Sequence, residues 1–158
     1  HTTLFRSYFA RHPVSKIKIP ESFLPSYPYR DQIGNPHKLR DENLAPMPRS
    51  KHSVQVHRRE YYAIITHMDA QIGRVLDELK KTGKEKDTYI VFTADHGLAV
   101  GKHGLFGKQN MYDHSVRFPF IVVGPDVAKL TTNVPPLYLQ DVIPTTLVWA
   151  GSNTRDTV

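Results

Sequence analysis

The sequence contains no cysteine, which excludes disulfide bonds and thiolate metal sites among its residues. It has no run approaching the roughly 20 apolar residues of a membrane-spanning helix. No internal repeat and no low-complexity tract is present. His1-Thr2-Thr3 offers neither an initiator methionine nor a basic leader, so no signal peptide is read here. The chain is expected to begin inside a longer protein. A charge excess of one sign is modest: 21 Lys and Arg against 15 Asp and Glu give +6, compatible with anionic ligands. Lys38, Arg40, Arg49, Lys51, Arg58 and Arg59 are interleaved with Asp31, Asp41, Glu42 and Glu60. No RNA- or DNA-binding motif accompanies them, and nucleic acid is not expected as a partner.

What is there suits a globular domain. The 158 residues are 39% hydrophobic and 23% charged, enough for one domain with a core. Leu4 to Ala10 reads as a weak strand through Leu4, Tyr8 and Phe9. Phe23 to Ser53 reads as a solvated loop lining a cleft, broken by Pro25, Pro28, Gly34, Pro36, Pro46 and Pro48. Val54 to Thr82 reads as a helix. Tyr61, Ile64, Ile65, Met68, Ile72, Val75, Leu76 and Leu79 recur at spacings of three and four. Gly83 suits its end, and Lys80 and Lys81 suit the dipole of its last turn. Asp69, beside the stripe, is expected as a buried partner for a backbone or tyrosine group.

Thr88 to Ala94 is short, apolar and β-branched, as in a buried strand of a parallel sheet. With the preceding helix it makes half of a βαβ crossover. Phe118 to Val123 reads as a second strand, closed by Gly124-Pro125. Val134-Pro135-Pro136 leads to a short extended piece, Leu137 to Leu139. Gln140 to Ala150 reads as a short helix with Asp141 near its cap, Pro144 in its first turn and Gly151 at its end.

The strand Thr88–Ala94 stops at Asp95-His96-Gly97. In open α/β sheets, ligands sit outside the carboxyl ends of strands. A carboxylate and an imidazole there are placed to hold a cation. The next stretch, through Gly101, Lys102, His103, Gly104, Gly107 and Lys108, has no helical or strand period. Glycine permits close backbone approach and lysine brings a point charge, so this loop suits an anionic substrate.

Three spaced segments carry a resemblance: Thr93-Ala94-Asp95-His96-Gly97, Gly101 to Lys108, and Tyr112 to Pro119. Together they resemble the type I sulfatases of the alkaline phosphatase superfamily. The likeness extends back through Met68-Asp69 to Gly73 and forward through Asp141 to Gly151. It implies an α/β fold, an alkaline-phosphatase-like sheet flanked by helices, with residues 1–158 forming the distal part of the catalytic domain and a Pro-rich loop at 23–53. It implies Asp95 and His96 as metal ligands, calcium as the metal, and Lys108 as the sulfate-binding and catalytic lysine. It assigns a secondary substrate-binding role to His103. A family histidine that contacts the sulfate or leaving group falls near His12. The family implies a sulfated small molecule or glycan as substrate, and a periplasmic, extracellular or lysosomal location.

Sulfatases attack with a formylglycine made from Cys or Ser in a Cys/Ser-x-Pro-x-Arg motif. Cysteine is absent, and the serines Ser7, Ser15, Ser22, Ser26, Ser50, Ser53, Ser115 and Ser152 read as standing in other contexts. The nucleophile is therefore expected outside this chain, and the isolated chain is expected to be inactive. Two other readings stay open. One is a phosphomonoester, phosphodiester or phosphonate hydrolase of the same superfamily, using manganese or zinc. The other is a non-catalytic basic binding domain.

Overall fold

The longest element is helix α1, Lys51–Lys81. The computed structural model describes residues 7–32, 39–129, 131–132 and 136–152. Ser50 starts α1: its hydroxyl accepts from the Ser53 amide at 3.0 Å, satisfying one of the amides a helix start leaves open. Thr82 closes the helix and Gly83 follows at φ +72°, a left-handed turn that glycine adopts without penalty. Val54 and Ala63 are buried on α1, while Ile64, Ile65, Met68, Val75 and Leu76 of the expected apolar stripe are exposed. Asp69 is exposed too, which corrects its expected role as a buried partner. The stripe exists as periodicity, but within the described residues only the N-terminal half of α1 is well covered.

Where the expected first strand falls within the described residues, it is not formed. Residues 7–9 are helical, and Leu4 to Arg6 lie outside the described residues. A helical turn lets neighbouring Tyr8 and Phe9 both reach α1, whereas a strand would send them to opposite faces. Tyr8 meets His67 edge-on at 5.2 Å, and the Arg59 guanidinium lies over the Phe9 ring at 5.0 Å.

Strands β1, Ile90–Thr93, and β2, Phe120–Val123, pair antiparallel, Ile90 opposite Val123 and Thr93 opposite Phe120. β1 is expected in a parallel sheet, but its one partner among the described residues is antiparallel. A parallel return needs a crossover, usually a helix, and the connection here holds only the single-turn helix α2, Asp113–Val116. Tyr89 stacks on Trp149 at 5.2 Å, which ties the sheet to helix α3, Val142–Trp149. Ahead of α3, Leu139–Asp141 forms a 3-10 turn whose Asp141 carboxylate accepts from the Tyr138 amide at 2.8 Å. Val134 and Pro135 lie outside the described residues.

The core sits under the glycine loop. Ala45, Val54 and Phe106 form one buried cluster, with Ile19 and Phe23 against it. Tyr27, Ala99 and Leu105 form another, with Tyr112 against it. The Pro-rich stretch supplies Tyr27, Ala45 and the 3-10 turn Arg40–Leu44, while Pro25, Pro28, Tyr29, Pro46 and Pro48 of the same stretch stay exposed. Gly34, Pro36 and Lys38 of that stretch lie outside the described residues.

Candidate active site

The residues after β1 leave the sheet and fold back on themselves. Gly97 donates its amide to the Ser115 carbonyl at 3.0 Å. A Cβ at Gly97 would run into the His114 carbonyl, so only glycine lets the chain leave β1 this close to α2. Ala99, Val100 and Gly101 then donate to the carbonyls of Gly107, Phe106 and Leu105, and the turn closes with Leu105 donating to Lys102 at 2.9 Å. Gly104 takes φ +80° at that turn and lies against the backbone of Ser26 and Tyr27, where a Cβ would come within 2.7 Å. The loop is thus a buried hairpin-like finger, with Lys108 emerging at the end of its return arm.

That return brings Lys108 to His96. The lysine Nζ contacts His96 Nε2, and Asp95 Oδ2 lies 3.2 Å from the same nitrogen. On the other side of the ring, His96 Nδ1 is 3.0 Å from the Gly97 carbonyl. A carbonyl only accepts, so Nδ1 carries the proton and donates. In the neutral ring this leaves the Nε2 lone pair facing Asp95 and Lys108. Two acceptors, a carboxylate and an imidazole nitrogen, therefore converge on a cation position that the Lys108 ammonium borders. The Asp95 side chain is 81% exposed and that of His96 29%, so the position opens to the outside. This donor set fits a divalent cation, because a ligating histidine donates its other ring N–H to a carbonyl or carboxylate. The set is incomplete: among the described residues, no cluster of three or more His, Asp or Glu side chains is arranged to hold a metal.

The other sequence-predicted residues lie elsewhere. Thr66 donates its hydroxyl to the Tyr62 carbonyl and accepts from His12 Nε2 at 2.8 Å, so His12 is bound to α1. His103 stands at the tip of the loop at φ +55°, with its ring stacked on Tyr112 at 4.3 Å. His114 stacks on Tyr112 from 5.5 Å. These three rings and Lys102 line a cavity of about 370 Å³ whose lining does not include Asp95, His96 or Lys108. Burial first, then Lys102 and His103, hold the His114 imidazole below its ordinary value of 6.5. Its Nε2 is buried without a hydrogen-bond partner. The Tyr27 hydroxyl, hydrogen-bonded to Tyr112 and buried, is pushed up to about 12.

One serine does satisfy the spacing of the nucleophile motif, contrary to the reading of the serines above. Ser26-Tyr27-Pro28-Tyr29-Arg30 has proline two residues and arginine four residues after the hydroxyl. The structure turns this stretch to other uses. The Ser26 backbone lies against Gly104, Tyr27 fills the core, and Arg30 faces Asp31 at 3.5 Å on the surface.

Sequence reasoning missed Glu42 and Arg49. Their side chains are 4% and 1% exposed and paired at 2.7 Å. Glu42 accepts from the amides of Phe106 and Gly107, immediately before Lys108. The available signal was charge inside a stretch that also carries apolar residues, which is weak.

The sulfatase family profile matches residues 7–152. The chain belongs to the sulfatase family. An arylsulfatase of Clostridium perfringens is 32% identical over 146 residues, 89% of this chain and 30% of that protein. An N-acetylglucosamine-6-O-sulfatase of Bacteroides thetaiotaomicron is 37% identical over 98 residues, 61% of this chain and 18% of that protein. Among solved structures, the phosphonate monoester hydrolase of Silicibacter pomeroyi superposes with a TM-score of 0.76 at 30% identity, over 92% of this chain and 30% of that one. The chain thus spans under a third of the length of these relatives. The fold is a part of the α/β alkaline-phosphatase-like architecture, and the family implies a divalent metal cofactor. No helix among the described residues is long and apolar enough to cross a membrane.

Proposed function

We propose that this sulfatase-family chain supplies the carboxylate, the imidazole and the lysine that bind cation and anion in a sulfate ester hydrolase. The observation that carries this is the convergence of Asp95, His96 and Lys108 just beyond β1. Asp95 and His96 would hold calcium, which when bound neutralises charge on the sulfate group. Lys108 would meet a sulfate oxygen and stabilise the charge that develops as the ester bond breaks. Calcium takes six to eight oxygen-rich ligands. Two residues therefore leave most positions to groups outside this chain, as the family's formylglycine nucleophile would also be. The substrate class is a sulfated small molecule or glycan, supported by relatives named for aryl sulfate and N-acetylglucosamine 6-O-sulfate.

The likeness to a phosphonate monoester hydrolase favours a second reading, phosphonate ester hydrolysis with manganese or zinc at the same Asp95–His96 pair. The full-length protein that carries this chain separates them. It should be assayed on an aryl sulfate and on an aryl phosphonate monoester, with calcium, manganese and zinc in turn. Faster sulfate turnover with calcium is expected. Faster phosphonate turnover with manganese or zinc selects the second reading, and no turnover of either overturns both.

A further inference from the structure

Lys108 is a flexible four-carbon stem on a loop rich in glycine, so its ammonium is only as well placed as the backbone at its root. That root is gripped from a distance in sequence. Glu42 Oε1 accepts from the Gly107 amide at 2.7 Å and the Phe106 amide at 3.1 Å. Glu42 Oε2 accepts from Arg49 Nη2 at 2.7 Å. Arg49 spends its remaining donors on the same finger and on its own turn: Nε to the Gly104 carbonyl at 3.3 Å, Nη2 to the Glu42 carbonyl at 2.8 Å, and Nη1 to the Ala45 carbonyl. Its guanidinium also lies 4.6 Å from the centre of the Phe106 ring. A Cβ at Gly107 would come within 3.1 Å of Glu42 Oε1, so glycine there lets the carboxylate reach the amide.

A buried ion pair adds little stability over a well-packed apolar pair, because desolvation offsets the attraction. This pair has every reason to be geometric. Its bonds to the finger end on Gly104, Phe106 and Gly107, the last directly before Lys108, and none of these bonds goes to Asp95 or His96.

We propose that Glu42 and Arg49 are positioning residues for Lys108: they fix the return arm of the loop so that the lysine ammonium stands opposite His96 and Asp95. This rests on the role given to Lys108 above. Misplacement by about 1 Å costs on the order of 100-fold in rate.

The test is a double-mutant cycle in the full-length protein, reading kcat, KM, metal content and Tm. Glu42→Asp keeps the charge but shortens the reach by one methylene, so both amides and Arg49 cannot be met together. It is expected to lower kcat by on the order of 100-fold, with KM and metal content little changed. In a Lys108→Ala background it should cost little more. Arg49→Lys keeps the charge but loses the planar fork, and it should show the same pattern if Glu42→Asp yields no folded protein. Fully additive losses, or a lower Tm with kcat per folded molecule unchanged, would overturn the positioning role. An unchanged kcat in Lys108→Ala alone would overturn the reading of Lys108, and this inference with it.

Discussion

Nε2 of His96 faces the ammonium of Lys108 while Asp95 Oδ2 lies 3.2 Å away from it. The Nδ1–H bond to the Gly97 carbonyl fixes which ring nitrogen is offered. In the proposed site, Lys108 and a divalent cation would compete for this one lone pair. A cation held there would leave the lysine to meet the anion.

Asp95→Asn removes half of the pair while keeping shape and exposure. Affinity for calcium in the full-length protein should fall by at least about tenfold, since second-shell losses alone cost 10- to 100-fold. Lys108→Ala should raise calcium affinity. Isothermal titration of both variants checks this, and an unchanged or weakened affinity in Lys108→Ala would contradict the competition. Tm should barely move in Asp95→Asn, because the side chain is exposed.

His114 makes stability depend on acid. Its folded value lies below 6.5, so the folded protein binds the proton less well than the unfolded chain. Its contribution is therefore present above about pH 6.5 and is lost as pH falls toward the lowered folded value. Denaturation midpoints measured between pH 7.5 and 5 should fall less steeply in His114→Phe, which keeps the stack on Tyr112 without a titrating group. Identical slopes in the two proteins would reject His114 as a source of acid sensitivity.

The chain by itself should turn over neither sulfate nor phosphate esters. Asp95, His96 and Lys108 supply charge stabilisation, while Ser26, with the bare motif spacing, packs at the Gly104 turn. Ile64, Met68, Val75 and Leu76 on α1, and Ile121 and Val123 on β2, are exposed, and such apolar faces invite association. Residues 1–158 should therefore aggregate or unfold readily when expressed alone. Multiple turnovers that disappear in Ser26→Ala would show that the nucleophile lies inside this chain.

The sequence made some of this legible and hid the rest for physical reasons. Lys80, Lys81 and Gly83 mark the end of α1 through local chemistry, whereas its start reads as Val54, three residues after Lys51, because the Ser50 cap stands inside the Pro-rich stretch. Asp95 and His96 were readable because an apolar run ends on them. Strand direction was not, because it depends on how the aperiodic stretch from Asp95 to Pro119 returns the chain to β1. Glu42 was not legible either. Its partners Phe106 and Gly107 stand 64 and 65 residues away, and a charge in a Pro-rich stretch is ordinarily solvated. Tyr8 and Phe9 read as a strand because they are bulky neighbours. Their contacts with His67 and Arg59 on α1 chose the helical turn.

The most direct measurement is kcat/KM for aryl sulfate in the full-length protein, wild type against Lys108→Ala, with Tm recorded in parallel. A lysine at the centre where charge develops acts mainly in the transition state. Loss of one such donor costs about 100- to 1,000-fold. The expected result is a fall of that size in kcat/KM with Tm almost unchanged. An unaltered kcat/KM in the folded variant would contradict the assignment of Asp95, His96 and Lys108 as one cation- and anion-binding site.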